Sequence, residues 1–214
     1  MAKSQIIKDI ANGSVSLDVS LKRALIIASD IGNETMARWI QKELSGYSKE
    51  DILPPYRKLR GVFKVSYYMM GKQRNNESMS INTLFGENQN NQDVYNCYDS
   101  IWFLENACKD EKLRRIDTIS LKRQLSRQVD SFFLEIPQSE FSNAVAKVTE
   151  ELLCLLLKID SELGNLDSLD VCPQSDEKRT SVNKIINNYF GSVIRIGDNN
   201  EISKSEIVGD NNGQ

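Results

Sequence analysis

The chain has 214 residues, of which 40% are hydrophobic and 27% charged, and its formal net charge is −3. That size and mixture support one sizeable core and exclude wholesale disorder, while the acidic balance excludes a generally basic, nucleic-acid-coating protein. There is no histidine, which removes Ser-His-Asp and Cys-His nucleophilic machinery, H-E-x-x-H zinc sites and histidine acid–base catalysis.

The first fifty residues read as three short helices with clear punctuation. Ser4 is placed to cap a helix carrying Ile6, Ile7 and Ile10, stopped by Asn12-Gly13. Ser16 caps the next, whose Leu17, Leu21, Ala24, Leu25 and Ala28 recur at helical spacing until Gly32. Asn33 opens a third, with Met36, Ile40 and Leu44 on one stripe, and Gly46 ends it. Leu53-Pro54-Pro55-Tyr56 then forces an extended crossing, because a residue before proline avoids the α region. Alternation of Phe63, Val65, Tyr67 and Met69 with polar residues predicts a strand over 61–70, and Met79, Ile81, Thr83 and Phe85 predict a second over 78–85. The polar stretch GKQRNNE reads as the loop between them, and GENQNNQ as another loop.

Val94, Cys97, Tyr98, Ile101, Leu104 and Cys108 then suggest a helix with a broad apolar face. Residues 115–119 read as a short strand, 121–127 as a short helix, and 131–136 as a strand ended by Pro137. Ser139 is expected to cap the longest helix, residues 140 to 163, whose stripe Phe141, Val145, Val148, Leu152, Leu155, Leu156, Ile159 and Leu163 keeps the 3.6-residue period. Residues 165–182 are polar and aperiodic, and read as a linker. Residues 183–214 remain as a tail in which the tetrad GDNN occurs twice, at 197–200 and 209–212, between the aliphatics Val193, Ile194, Ile196, Ile202, Ile207 and Val208. Gly, Asp and Asn make turns, so this tail is expected to be a β-rich module. Too small to bury its own apolar face, it is expected to pair with copies of itself.

Among chemistry-bearing clusters, Lys112, Arg114, Arg115, Lys122, Arg123 and Arg127 could form a phosphate-binding patch, although a solvated face suits the acidic chain better. Asp99, Glu105, Asp110 and Glu111, with Glu87 and Asp93 upstream, lack the strand-and-lysine setting of a nuclease metal site and read as surface carboxylates. No phosphate-cradling glycine motif occurs. The four cysteines, at Cys97, Cys108, Cys154 and Cys172, form no C-x-x-C pair and read as reduced thiols. The amino-terminal stretch lacks a signal-peptide core and the most apolar run, LLCLLLKI, is too short to span a bilayer. A cytoplasmic protein without metal, cofactor or membrane partner is therefore expected.

In WIQKELSGY, Trp39 and Glu43 share one helical face, and LPPYRKLRG follows. Trp39, Tyr47 and Tyr56 are expected to anchor a packed corner in which Glu43 meets a polar partner such as Arg57. These two blocks, with IPQSEFSNAVAKVTEELLCLLLKI downstream, resemble the AbiTii-type domain of bacterial abortive-infection proteins. The residues carrying the likeness are Trp39, Glu43, Leu44, Gly46, Tyr47, Pro54, Tyr56, Arg57 and Gly61, followed by the I-P-x-S opening of the long helix. The resemblance implies a role in defence against phage and brings no catalytic residues.

The expected architecture is α+β. Residues 1–164 form a body with an N-terminal helical subdomain, a small antiparallel sheet and one long amphipathic helix. Residues 165–182 form the linker, and 183–214 the short β-rich C-terminal tail. The expected function is that of a non-enzymatic, self-associating sensor or scaffold, homo-oligomeric through the tail, which could also meet a partner protein of a defence system. The alternatives are a nucleic-acid-binding or metal-dependent nuclease effector, and a toxin controlled by a partner protein.

Overall fold

A computed structural model describes residues 3–85, 93–109, 114–117, 129–167 and 175–192. The three amino-terminal helices are present as read: α1 Gln5–Asn12, α2 Leu17–Ile31 and α3 Glu34–Ser45. Ser16 caps α2 by accepting from the Val19 amide, and Asn33 caps α3 by accepting from the Met36 amide. Ser4 behaves differently. Its hydroxyl makes no cap bond, and instead donates to Asp160 and accepts from the Leu166 amide at 2.9 Å, tying the first helix to the far end of the longest one.

Pro55–Arg57 is a single 3-10 turn leading into β1, Lys58–Arg60. The strands β2 (Val62–Met69) and β3 (Lys72–Met79) form a hairpin, and the helix α4 (Ile81–Phe85) follows. The predicted strand over 78–85 is thus corrected: the polar GKQRNNE stretch is itself most of β3. Its partner β2 supplies the ladder, so β3 can be a solvent-exposed edge strand with no apolar alternation to betray it. Ser80 then accepts from the Thr83 amide and starts α4.

The expected helix over 94–108 is also corrected. Val94–Asn96 is a strand, β4, paired antiparallel with β1, and only Ile101–Ala107 is helical, as α5, capped by Ser100. β5 (Arg114–Asp117) and β6 (Val129–Ile136) complete a four-stranded antiparallel sheet in the order β3-β2-β6-β5. The predicted helix over 121–127 lies outside the described residues.

The long helix, α6, runs from Gln138 to Leu163, starting directly after Pro137 rather than from a Ser139 cap. It buries Phe141, Val148, Leu152, Leu155, Leu156 and Ile159, and is the strut of the core. The last described element departs most from the sequence reading. Asp176–Ser192 is a helix, α7, occupying the second half of the expected linker and the start of the expected β-module. Ser175 accepts from the Lys178 amide at its start. Val182, Ile186, Tyr189 and Phe190 fall on one face and are buried with the core. The body therefore extends to Ser192, and the tail residues Val193, Ile194, Ile196, Ile202, Ile207 and Val208 lie outside the described residues.

The two ends of the body are pinned by polar contacts. Lys3 and Ser4 both donate to Asp160, while Asn33 donates to Asn183 of α7 at 2.7 Å. Burial alone would push the Asp160 carboxyl up, but the bonds from Ser4 and Lys3 outweigh it and hold it below the ordinary value. A carboxyl depressed in the folded state stabilises above its unfolded value, near pH 4, and loses that contribution as pH falls through the folded value. Asp160→Asn is therefore expected to flatten the fall of the urea midpoint on acidification below about pH 4; an unchanged slope would show that Asp160 carries no such linkage.

Candidate functional site

The corner between α3 and β1 gathers a linked set of buried polar groups. On α3, Trp39 and Glu43 face inward because they lie four residues apart. Gly46 then turns the chain, and the Tyr47 amide donates to the Tyr98 carbonyl at 2.8 Å. Gly46 has φ 92° and ψ 168°, a backbone region open essentially to glycine alone. A side chain there would also meet the Tyr98 carbonyl oxygen at 2.6 Å. Pro54 accepts from the Arg57 amide at 2.9 Å, closing the 3-10 turn that aims Arg57 inward.

Four side chains converge on Glu43 and its donors. The Tyr47 hydroxyl donates to Oε1 at 2.6 Å and the Tyr56 hydroxyl to the same oxygen at 2.9 Å. Arg57 Nη2 pairs with Oε2, and Nη1 donates to the Asp99 carbonyl at 2.6 Å. Trp39 Nε1 donates to the Tyr56 hydroxyl at 3.0 Å. The Arg57 guanidinium lies 5.3 Å from the Tyr47 ring centroid. Both side chains of the ion pair are 0% exposed.

The electrostatics follow from that burial. Desolvation, then the Glu43 charge, pushes both the Tyr47 and Tyr56 phenols well above their ordinary value. Burial opposes the charge on Arg57, but the Glu43 carboxylate outweighs it and keeps the guanidinium protonated. Cys97, also buried, has its thiol pushed up by desolvation. These phenols and this thiol keep their protons near neutrality. Leu44 packs on the edge of the core and Pro54 is buried. The Gly61 amide donates to the Asp93 carbonyl at 2.8 Å, and a Cβ at Gly61 would meet Leu134 and Ile136 side chains at 2.6 to 2.8 Å. Of the motif residues, Trp39, Glu43, Tyr47, Tyr56 and Arg57 thus bond to one another, Gly46 and Pro54 turn the chain into that corner, and Gly61 packs against β6.

The other candidates fare differently. Lys112, Lys122, Arg123 and Arg127 lie outside the described residues, and for Arg114 only its backbone place, opposite Ile136 in β5, is described. Arg115 stacks 4.5 Å from the Phe133 ring centroid, with its Nε 3.8 Å from Glu135. Of the carboxylates considered for a metal, Glu87, Asp110 and Glu111 lie outside the described residues, while Glu105 and Asp99 have other partners. Glu105 accepts from the Leu17 and Asp18 amides at the start of α2, at 2.9 and 3.4 Å. Asp99 accepts from Tyr95 and Cys97. Among the described residues there is no group of three or more Cys, Asp or Glu that could hold a metal ion.

One linked cluster escaped the sequence reading. Tyr189 of α7 donates to Glu151 at 2.5 Å, and Lys147 pairs with the same carboxylate at 2.9 Å. Beside it Phe190 meets Trp39 edge-on at 5.6 Å, so α7 abuts the Glu43 corner. The available signal was the 182/186/189/190 spacing, which fits a helix better than strands.

The AbiTii family model matches residues 4–185, a span that contains the whole Glu43 corner and the first part of α7. No curated protein and no solved structure matches the chain.

Proposed function

The chain belongs to the AbiTii family, which implies a role in phage defence by abortive infection, and from this premise we propose that it serves that defence as a non-enzymatic, self-associating sensor or scaffold. The observation that carries the reading is the fate of the motif. Glu43, with both oxygens occupied by Tyr47, Tyr56 and Arg57, is sealed inside the fold. Residues so enclosed support the reading of a body that presents surfaces rather than a substrate pocket built on this motif. The second support is the tail, whose aliphatics and repeated turn residues suit pairing between copies. The nucleic-acid alternative stays open: Arg115, which lies over Phe133 and near Glu135, keeps its side chain 57% exposed. Among the described residues no helix is long and apolar enough to cross a membrane.

The test is a truncation placed after Ser192. A cut at Val182 would remove Val182, Ile186, Tyr189 and Phe190 from the core and confound assembly with unfolding. Deleting residues 193–214 is expected to lower the native mass in light scattering to that of a monomer, leave thermal unfolding of the body intact, and abolish protection in a phage plating assay. An unchanged native mass would sink the self-association reading.

A further inference from the structure

The β2–β3 hairpin ends in an exposed apolar tip that neither the core nor the motif explains. Along β2, burial falls away from Phe63 and Val65 outward, until Tyr68 and Met69 are each 52% exposed and Met70 is 91% exposed. Three consecutive exposed apolar residues oppose solubility unless something covers them. The turn itself makes the choice of residue more pointed. Met70 and Gly71 have φ of 52° and 74°, the two-residue turn with both central positions left-handed. Such turns favour Asn-Gly or Asp-Gly, and methionine in that conformation is unfavourable. A small polar residue would suit that turn better, so folding does not account for the methionine at the apex.

The charge around the tip indicates what that is. No Asp or Glu occurs between Asp51 and Glu77; Lys64 lies 3.7 Å from Glu135 of β6, which leaves Lys72 and Arg74 near the tip against Glu77, in a chain whose net charge is −3. Lys72 sits directly opposite Met69 in the ladder and Arg74 opposite Tyr67, immediately behind the tip. Glu77 pairs with Arg74 at 3.5 Å, and Asp130 on the neighbouring strand accepts from Gln73 at 3.4 Å. An apolar point with cations behind it complements a surface that is anionic at its boundary and apolar beneath, and flexible thioethers with a tyrosine suit that interface.

We propose that the Tyr68-Met69-Met70 tip docks the protein onto an anionic lipid bilayer, inserting into the interfacial layer while Lys72 and Arg74 meet the headgroups. A bilayer is favoured over nucleic acid because the two methionines want an apolar medium that phosphates do not offer. The expectation that the chain has no membrane partner rested on the lack of a spanning segment, and peripheral docking requires none.

The full-length protein is floated with vesicles of phosphatidylcholine alone and with vesicles in which about a quarter of the lipid is phosphatidylglycerol. Flotation is expected with the anionic vesicles, weakening as salt rises, and is expected to fall about tenfold in Met69→Ser/Met70→Asn. Asn at 70 suits the left-handed turn, so an unchanged urea midpoint separates lost docking from lost folding. Lys72→Gln/Arg74→Gln is expected to weaken flotation and blunt its salt dependence. Absence of flotation with anionic vesicles, or equal flotation by the methionine double variant, would overturn the proposal. So would a duplex-DNA mobility shift lost in that variant without any vesicle binding, which would assign the tip to nucleic acid.

Discussion

Arg57→Met is expected to destabilise the protein by about 3–5 kcal/mol, the cost of leaving one partner of a buried ion pair uncompensated. Glu43 is 0% exposed, so water cannot replace the guanidinium. The Tyr47 and Tyr56 hydroxyls would remain as its only donors from this corner, both on the same oxygen. The Asp99 carbonyl would lose its 2.6 Å bond as well, loosening the approach to α5. Urea midpoints for the single variants and for Glu43→Leu/Arg57→Met form a cycle that separates the loss of a partner from the worth of the pair. The double variant is expected to be markedly more stable than the sum of the singles implies, since replacing both charges by apolar groups removes the orphan. A cost for Arg57→Met below about 1 kcal/mol would mean that water or a rearranged donor reaches Glu43.

Gly46→Ala is expected to cost about 3 kcal/mol, for two reasons that act together. The backbone at 92°, 168° is a conformation that residues with a Cβ avoid. The new carbon would also lie 2.6 Å from the Tyr98 carbonyl oxygen, which already accepts the Tyr47 amide. Relieving the clash displaces the strand-to-helix segment on which Arg57 leans through Asp99. Gly13→Ala is the internal comparison: φ is 62°, but nothing stands within 4 Å of a Cβ there. It is expected to cost about 1 kcal/mol, from the left-handed backbone alone. Thermal unfolding of both variants checks the difference, and equal losses would show that the contact with Tyr98 relaxes freely.

What could be read from the sequence divides along physical lines. The helices α1 to α3 were legible because each boundary has a local cause: a Ser16 or Asn33 side chain to cap, and Gly13, Gly32 or Gly46 to stop. The Glu43–Arg57 pairing was legible too, since a carboxylate on the apolar face of a helix needs a cation close by. Its convergence with both tyrosines on one carboxyl group was not, because that depends on the 3-10 turn at Pro55–Arg57. The strand β3 was hidden because an edge strand takes its order from β2 and not from its own side chains. β4 was hidden likewise by its dependence on β1, and the apolar residues flanking it kept a helical spacing by coincidence. For α7, the Asn-rich stretch KIINNYF has weak intrinsic helix propensity. What overrides it is tertiary: Phe190 against Trp39 and Tyr189 on Glu151, partners far away in the chain.

The placement of α7 carries a consequence for how the protein is made. Trp39 is among the earliest core residues to be synthesised, and Phe190 among the last described ones. Ser4 likewise waits for Asp160 and Leu166, and Asn33 for Asn183. A nascent chain can collapse α1 to α3 locally, yet this core closes only once translation has passed Phe190. Closing contacts so far apart in the chain carries a loop-closure cost that local helix contacts do not. Until that moment the growing polypeptide carries an open apolar flank, where Trp39 still lacks Phe190.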